Sequence, residues 1–309
     1  MAGQVGWKSE SVWGTAVTVD TFMPVLSANL TIDEGYLRSE AIRGGRRTRS
    51  PGRLGAKVVG TSVEMELPNT SIATLLLHLF GAVAAPAGDG PYVHTFTPGP
   101  HVGKSLTIQI GIQDSGGTVR PFTLSGAKVG SWEISAAVGE LAKLSFEASA
   151  KDYTTGTAIA SASYAADLVP FTFVEGSVTV NGSPVASAKS VSLSMDKGLQ
   201  EDRHALGSRT IREQLEEDHF DVQTEITADF DSLVLFDLIA AGTQVASVLT
   251  FTNGVQSLVI TKSGQIVGDP PSLTNPGIEE QTIKLDHSSA TTDADAITAV
   301  LTNSEATAV

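Results

Sequence analysis

Hydrophobic and polar positions alternate along most of this chain. Leu26 to Ile32 alternates and closes on Asp33-Glu34-Gly35, and Val191 to Met195 alternates and closes on Asp196-Lys197-Gly198. Val63-Glu64-Met65-Glu66-Leu67 and Thr224-Glu225-Ile226-Thr227-Ala228 follow the same period. A period of two marks half-buried strands, because successive side chains point to opposite faces. Leu106 to Ile110, the turn Asp114-Ser115-Gly116-Gly117 and Val119 to Leu124 predict a hairpin. Lys128 to Ala137 and Leu141 to Ala150, joined at Gly139-Glu140, predict a second hairpin. Val248 to Thr252, Asn253-Gly254 and Val255 to Thr261 predict a third.

Helical periodicity occurs in two short places. Ile72 to Phe80 before Gly81 carries Leu75, Leu76, Leu79 and Phe80 on one broad face. Leu233 to Ala240 before Gly242 carries Leu235, Phe236, Leu238 and Ile239. Asn69, Thr70 and Ser71 precede the first, and Asp231 and Ser232 the second, as N-cap candidates. A lone amphipathic helix must lie against a sheet.

The elements recur in one order. The Asp-x-Gly anchors are offset by 163 residues and the glycines that end the helices by 161. Thr282 to Leu285 also mirrors Leu144 to Ala148, with one residue inserted. The expected fold is therefore mainly β: tandem duplicated β-sandwich units, each with one flanking short α-helix. The expected divisions are an N-terminal arm over 1–25, unit 1 over 26–160, unit 2 over 161–290 and a C-terminal tail over 291–309. Small and hydroxylated residues from Thr154 to Ala166 are expected to link the units. A chain of 309 residues is long enough for two ordinary cores.

Composition narrows the function classes. With 41% apolar and 17% charged residues the chain reads as globular. Cysteine is absent, which excludes disulfides, thiol catalysis and thiolate metal sites. Met1 to Lys8 shows no apolar core of a signal peptide, and the apolar stretch Leu75 to Ala85 is too short to span a membrane. Gln113-Asp114-Ser115-Gly116-Gly117 is similar to the nucleophile segment of trypsin-like proteases, but no upstream histidine segment accompanies it, so a turn is expected. The six histidines show no metal-ligand spacing, and no glycine run fits a phosphate loop. No cofactor, no metal site and no enzymatic activity are expected.

The net charge of −14 is uneven: residues 1–166 carry 13 basic and 13 acidic side chains, and residues 167–309 carry 7 and 21. The strongest local departure is the loop holding Arg43, Arg46, Arg47, Arg49 and Arg53. Its counterpart, Leu199 to Phe220, holds Glu213, Glu216, Glu217 and Asp218. Alone, the Arg43–Arg53 loop suits nucleic acid. Beside an acidic counterpart it suits protein pairing, so those nine residues are candidates for stacking contacts between copies.

Trp13-Gly14-Thr15, Arg38-Ser39-Glu40 leading to Arg43-Gly44-Gly45-Arg46, and Leu76-Leu77-His78-Leu79-Phe80-Gly81-Ala82 resemble major tail (tail tube) proteins of long-tailed phages infecting actinobacteria. His94 to Pro98, Lys104 to Gln109 and Val138 to Leu141 extend the resemblance over nearly the whole chain. It implies a sandwich that completes an inner β-barrel on oligomerisation, and a long loop contacting the next ring. Two units per chain imply a trimeric, pseudo-sixfold ring. The resemblance also implies self-association in a virion tail assembled in the host cytoplasm. The implied partners are a tape measure protein, tail tip and tail terminator proteins, and DNA only in transit, with no membrane. Glu64, Glu66, Glu133, Glu147 and Glu225 are candidates to line the lumen. A β-sandwich surface-binding module and a nucleic-acid-binding protein remain the alternatives.

Overall fold

A computed structural model describes residues 3–42, 45, 51–268, 279–286 and 292–307 of the protein. In chain order the first half forms β1 (Gln4–Ser9), β2 (Thr21–Met23), β3 (Ser27–Asp33), a ribbon of β4 (Tyr36–Leu37) and β5 (Arg53–Leu54), and β6 (Val58–Glu66). Then come α1 (Ala73–Phe80), β7 (Gly81–Val83), β8 (Tyr92–Pro98), β9 (Leu106–Gln113), β10 (Val119–Ala137), β11 (Lys143–Ala150) and β12 (Asp152–Thr154). The second half forms β13 (Gly176–Val180), β14 (Ser183–Pro184), β15 (Ala188–Asp196), a ribbon of β16 (Leu199–Gln200) and β17 (Leu215–Glu216), and β18 (Asp221–Asp229). It continues with α2 (Val234–Ala241), β19 (Gln244–Asn253), β20 (Gln256–Val267), β21 (Glu280–Asp286), α3 (Asp293–Ala296) and β22 (Ile297–Asn303).

The protein is mainly β, and its ladders are antiparallel. One large sheet runs β3-β6-β11-β10-β15-β18-β21 and ends on the last residues of β20. The first four strands and the last four appear in matching order, and the β10–β15 ladder joins them. A covering layer runs β2-β1-β9-β10-β12 over the first half. The layer over the second half runs β14-β13-β19-β20-β22, and β8 and β7 extend it. Among the described residues these ladders branch without forming a closed circuit, so β3 remains an edge.

One strand in each half passes from one layer to the other, β10 in the first and β20 in the second. β10 pairs with β9 through its first part and with β11 and β15 through its second. The sequence reads this stretch as two strands because Ser125-Gly126 interrupts the alternation. The register shifts between Leu124 and Ala127, yet the chain bends there without ending the strand. The N-terminal stretch and the C-terminal tail each supply strands: β1 lies on β9, and β22 lies between β20 and β8.

The apolar faces of both halves merge into a single core. Trp7 packs edge-on against Phe146 at 6.3 Å, Phe80 packs on Trp132 at 5.3 Å, and Phe171 on Phe251 at 5.6 Å. α1 buries Leu75, Leu76, Leu79 and Phe80, whereas no residue of α2 is fully buried. Both helices stop at a left-handed glycine, Gly81 or Gly242, as the sequence predicts.

Candidate functional site

The chain's chemistry lies in its edges, its two ribbons and one acidic face. The large sheet positions all of these. Asp33 Oδ1 accepts from Gly35 N–H at 2.8 Å, and Asp196 Oδ1 accepts from Gly198 N–H at 2.9 Å. These matching turns stop β3 and β15 and launch the two ribbons. At Gly35, φ is +55° and an added Cβ would meet Ala56 O at 2.2 Å, so no larger residue fits.

The second ribbon folds back onto the first half. Lys128, buried in β10, donates from Nζ to Glu213 Oε1 at 2.8 Å, to His101 O at 2.7 Å and to Gln214 O at 2.9 Å. Burial lowers the Lys128 amine below its usual range, and the Glu213 carboxylate opposes that shift. Burial acts to raise Glu213, but the Lys128 ammonium, the Gly103 N–H and the Arg203 charge together outweigh it and its carboxyl is lowered. Gln214 donates to Ser149 O at 3.0 Å, and Trp13 Nε1 donates to Gln214 Oε1 at 3.2 Å. Glu216 accepts from His101 N–H at 2.8 Å. Arg209 pairs with Glu34 at 2.6 Å and donates to Gly55 O at 3.0 Å. Lys197, fully buried, donates from Nζ to His78 O at the end of α1, where the helix dipole favours a cation.

Of the acidic candidates on this ribbon, Glu213 is half-buried against Lys128, while Glu216, Glu217 and Asp218 are exposed. Arg53 is exposed on β5, opposite Leu37. Arg43, Arg46, Arg47 and Arg49 lie outside the described residues. Glu10 was missed altogether. Its buried carboxylate accepts from Ser105 Oγ, Thr107 Oγ1, Gly14 N–H and Gly126 N–H at 2.6 to 2.9 Å, which pins the Trp13 loop beside Gln214.

The five lumen candidates share one face of the large sheet. One row reads Ser27, Glu64, Ser145, Glu133, Ser194 and Gln223 across six strands. The adjacent rows hold Glu147, Asp196 and Asp221 on one side, and Glu66, Lys143, Glu225 and Lys284 on the other. Alternate residues, among them Val63, Met65, Trp132, Leu144 and Leu193, are buried beneath. Seven carboxylates against two lysines make this face strongly anionic.

The protease-like segment is a turn. Asp114 Oδ1 accepts from Gly116 N–H at 3.0 Å and Thr118 N–H at 2.9 Å, closing the β9–β10 hairpin. No helix among the described residues is long and apolar enough to cross a membrane.

A large sheet with an open edge and one charged, hydroxyl-rich face suits assembly better than catalysis. Residues 2–298 match the phage tail tube protein family. The chain belongs to that family. It is a structural component of the phage tail and not an enzyme. No curated protein matches it.

Proposed function

We propose that three copies of this tail tube protein close into a pseudo-sixfold ring, and that rings stack into the conduit for DNA ejection. The observation that carries this reading is the β10–β15 ladder. It joins the fourth strand of one four-strand set to the first strand of the next, over seven residue pairs. The set that ends in β20 has the same order, and β3 is the matching first strand with an open edge. A tandem duplication explains why one junction is made within the chain and leaves the other to a neighbour. This is a head-to-tail contact, which closes into a ring when the rotation permits.

The half-covered state of β3 supports the same contact. Ala28, Leu30 and Ile32 are half-buried, while the corresponding face of β15, Val191, Leu193 and Met195, is buried under the junction. Six four-strand sets give about 24 strands. At about 4.8 Å each they define a circumference of at least ~115 Å and a backbone diameter of at least ~37 Å. A duplex roughly 20 Å across passes through such a bore. Closure also pairs an edge that would otherwise invite aggregation.

The acidic face then lines the lumen, with Glu64, Glu66, Glu133, Glu147 and Glu225 towards the DNA. A carboxylate wall repels phosphates and denies DNA the counterion-release affinity of a basic wall. The tape measure protein occupies the growing tube, terminator and tip proteins close its ends, and the host is an actinobacterium. End-on averages from electron microscopy test the ring: three chains and six similar lobes are expected. Six whole chains per ring would sink the trimer.

A further inference from the structure

Resting on that ring reading, we propose that the basic ribbon β4–β5 seats on the second half of the neighbouring chain within the same ring. Its receiving surface is the end marked by Lys262 and Asp218. The occupant is a second copy of this chain, and the template is already built inside each one. Ribbon β16–β17 follows β15, the strand that pairs with β10, and reaches back to Lys128 of that same strand. Ribbon β4–β5 follows β3 through the equivalent Asp-x-Gly turn. If β3 pairs with the end of β20 next door, its ribbon is carried to the corresponding lysine of β20.

That lysine is present. Lys128 and Lys262 both stand as Lys-x-Gly before Ser131 and Gln265, the residues paired with Glu147 and Asp286. Lys128 is capped by the docked ribbon. Lys262, equally buried, donates to the main-chain oxygens of Leu285 and Asp286 and lines a cavity of about 530 Å³ with Asp218, His219, Phe220, Asp221 and Asp293. The cavity lies where the intrachain template places a ribbon.

Exposure and charge agree with this placement. Tyr36 and Leu37 are 68% exposed and Leu54 50%, while Leu199 and Leu215 of the docked ribbon are half-buried. From Tyr36 to Gly60 the sequence carries seven basic residues and one acid, and the receiving surface offers Asp218, Asp221 and Asp293. Opposite charges on the two sides fix which ribbon meets which half. The intrachain site instead pairs an acidic ribbon with a basic seat, so the two junctions cannot be exchanged.

The absence of cysteine allows a direct test. An Arg53→Cys/His219→Cys double variant, assembled into tubes, is treated with a short bismaleimide and run on a denaturing gel. Within a ring each link leads to the next chain and back, so covalent species are expected to stop at the ring's chain number. A ladder running past that number puts the ribbon on an adjacent ring and overturns the proposal. Intact tubes with no interchain links overturn it equally. If the double variant fails to assemble, hydrogen exchange on isolated unsubstituted rings decides the matter. Protection of 36–42 and 218–222 on ring formation is expected, and its absence in either segment overturns the proposal. Failure of the unsubstituted protein to form rings would instead refute the ring reading itself.

Discussion

Glu213 in the second half lies 2.8 Å from the ammonium of Lys128 in the first, and the lysine side chain is only 2% exposed. Removing one partner of such a pair leaves a buried charge unmatched, which is far costlier than the pair is stabilising. Glu213→Ala is expected to cost about 3 kcal/mol, the lower end for a buried pair, because the carboxylate is partly solvated. Lys128→Met combined with Glu213→Leu should recover most of that. Urea midpoints with unchanged slopes would measure both effects. A single variant as stable as the parent would show that the ribbon is not held by this pair.

The strands around that pair were legible because alternation survives in any half-buried strand. Val63 to Leu67, Leu106 to Ile110 and both helix-ending glycines fall where their patterns put them. The Lys128–Glu213 contact was not legible: a carboxylate in a polar loop looks the same whether it faces water or a buried amine 85 residues away. The β10–β15 ladder was hidden for a related reason. Alternation says which face of a strand is buried but not which strand lies beside it. Ile297 to Asn303 also alternates, yet its composition reads as a tail until β20 and β8 flank it.

Acid should loosen the fold through His78 and His101. Burial first, then the Lys197 ammonium, lowers His78 from 6.5 to about 3, and burial likewise holds His101 far down. Below pH 6.5 the unfolded chain takes up these protons and the folded one does not. Stability is therefore complete above pH 6.5 and falls towards pH 3, by about 1.4 kcal/mol per pH unit for each histidine. His78→Gln should make the loss between pH 6 and 5 visibly shallower in urea titrations. An unchanged slope would mean that His78 protonates in the folded protein.

Lys262 acts at the alkaline side. Burial lowers its amine from 10.5 to about 8, against the opposing pull of Asp286 and then Asp221. Below pH 8 both states hold the proton, and the cost of the buried charge is fully present. Between pH 8 and 10.5 only the unfolded chain keeps it, so stability should rise by about 3 kcal/mol at 1.36 kcal/mol per unit. Lys262→Met should abolish that rise relative to the unsubstituted protein, measured by chemical denaturation at a series of alkaline pH values.

The exposed start of α2 should matter to assembly alone. Leu233 and Val234 are 59% and 57% exposed, whereas Ile72 and Ala73 at the start of α1 are buried next to the contact of Ser71 with Glu305 of the second half. Leu233→Glu with Val234→Glu should change monomer stability by no more than about 0.5 kcal/mol, as surface substitutions usually do. Rings should not form, because closure would bury two carboxylates without partners. Sedimentation of the folded variant checks this, and normal tubes would remove α2 from the ring contact.

The acidic face gives the prediction with the most direct bearing on function. Glu64, paired with Ser27 of β3, and Glu133 stand in one row, and Glu147 in the next borders the β16–β17 ribbon. Reversing them to lysine should leave the buried face intact, since alternate residues carry the core. Exposed lysines near one another repel weakly in salt, so folding and ring closure should survive. The wall would then attract phosphates and release their counterions, with an affinity that falls steeply as salt rises. Purified tubes of the variant should retain short duplex DNA at low salt and release it at high salt, while unsubstituted tubes should retain none. Particles carrying the variant should eject their genomes slowly, and high salt should restore the rate. If variant tubes ignore DNA at every salt concentration, this face points away from the bore, and the lumen must be sought on the opposite side of the sandwich.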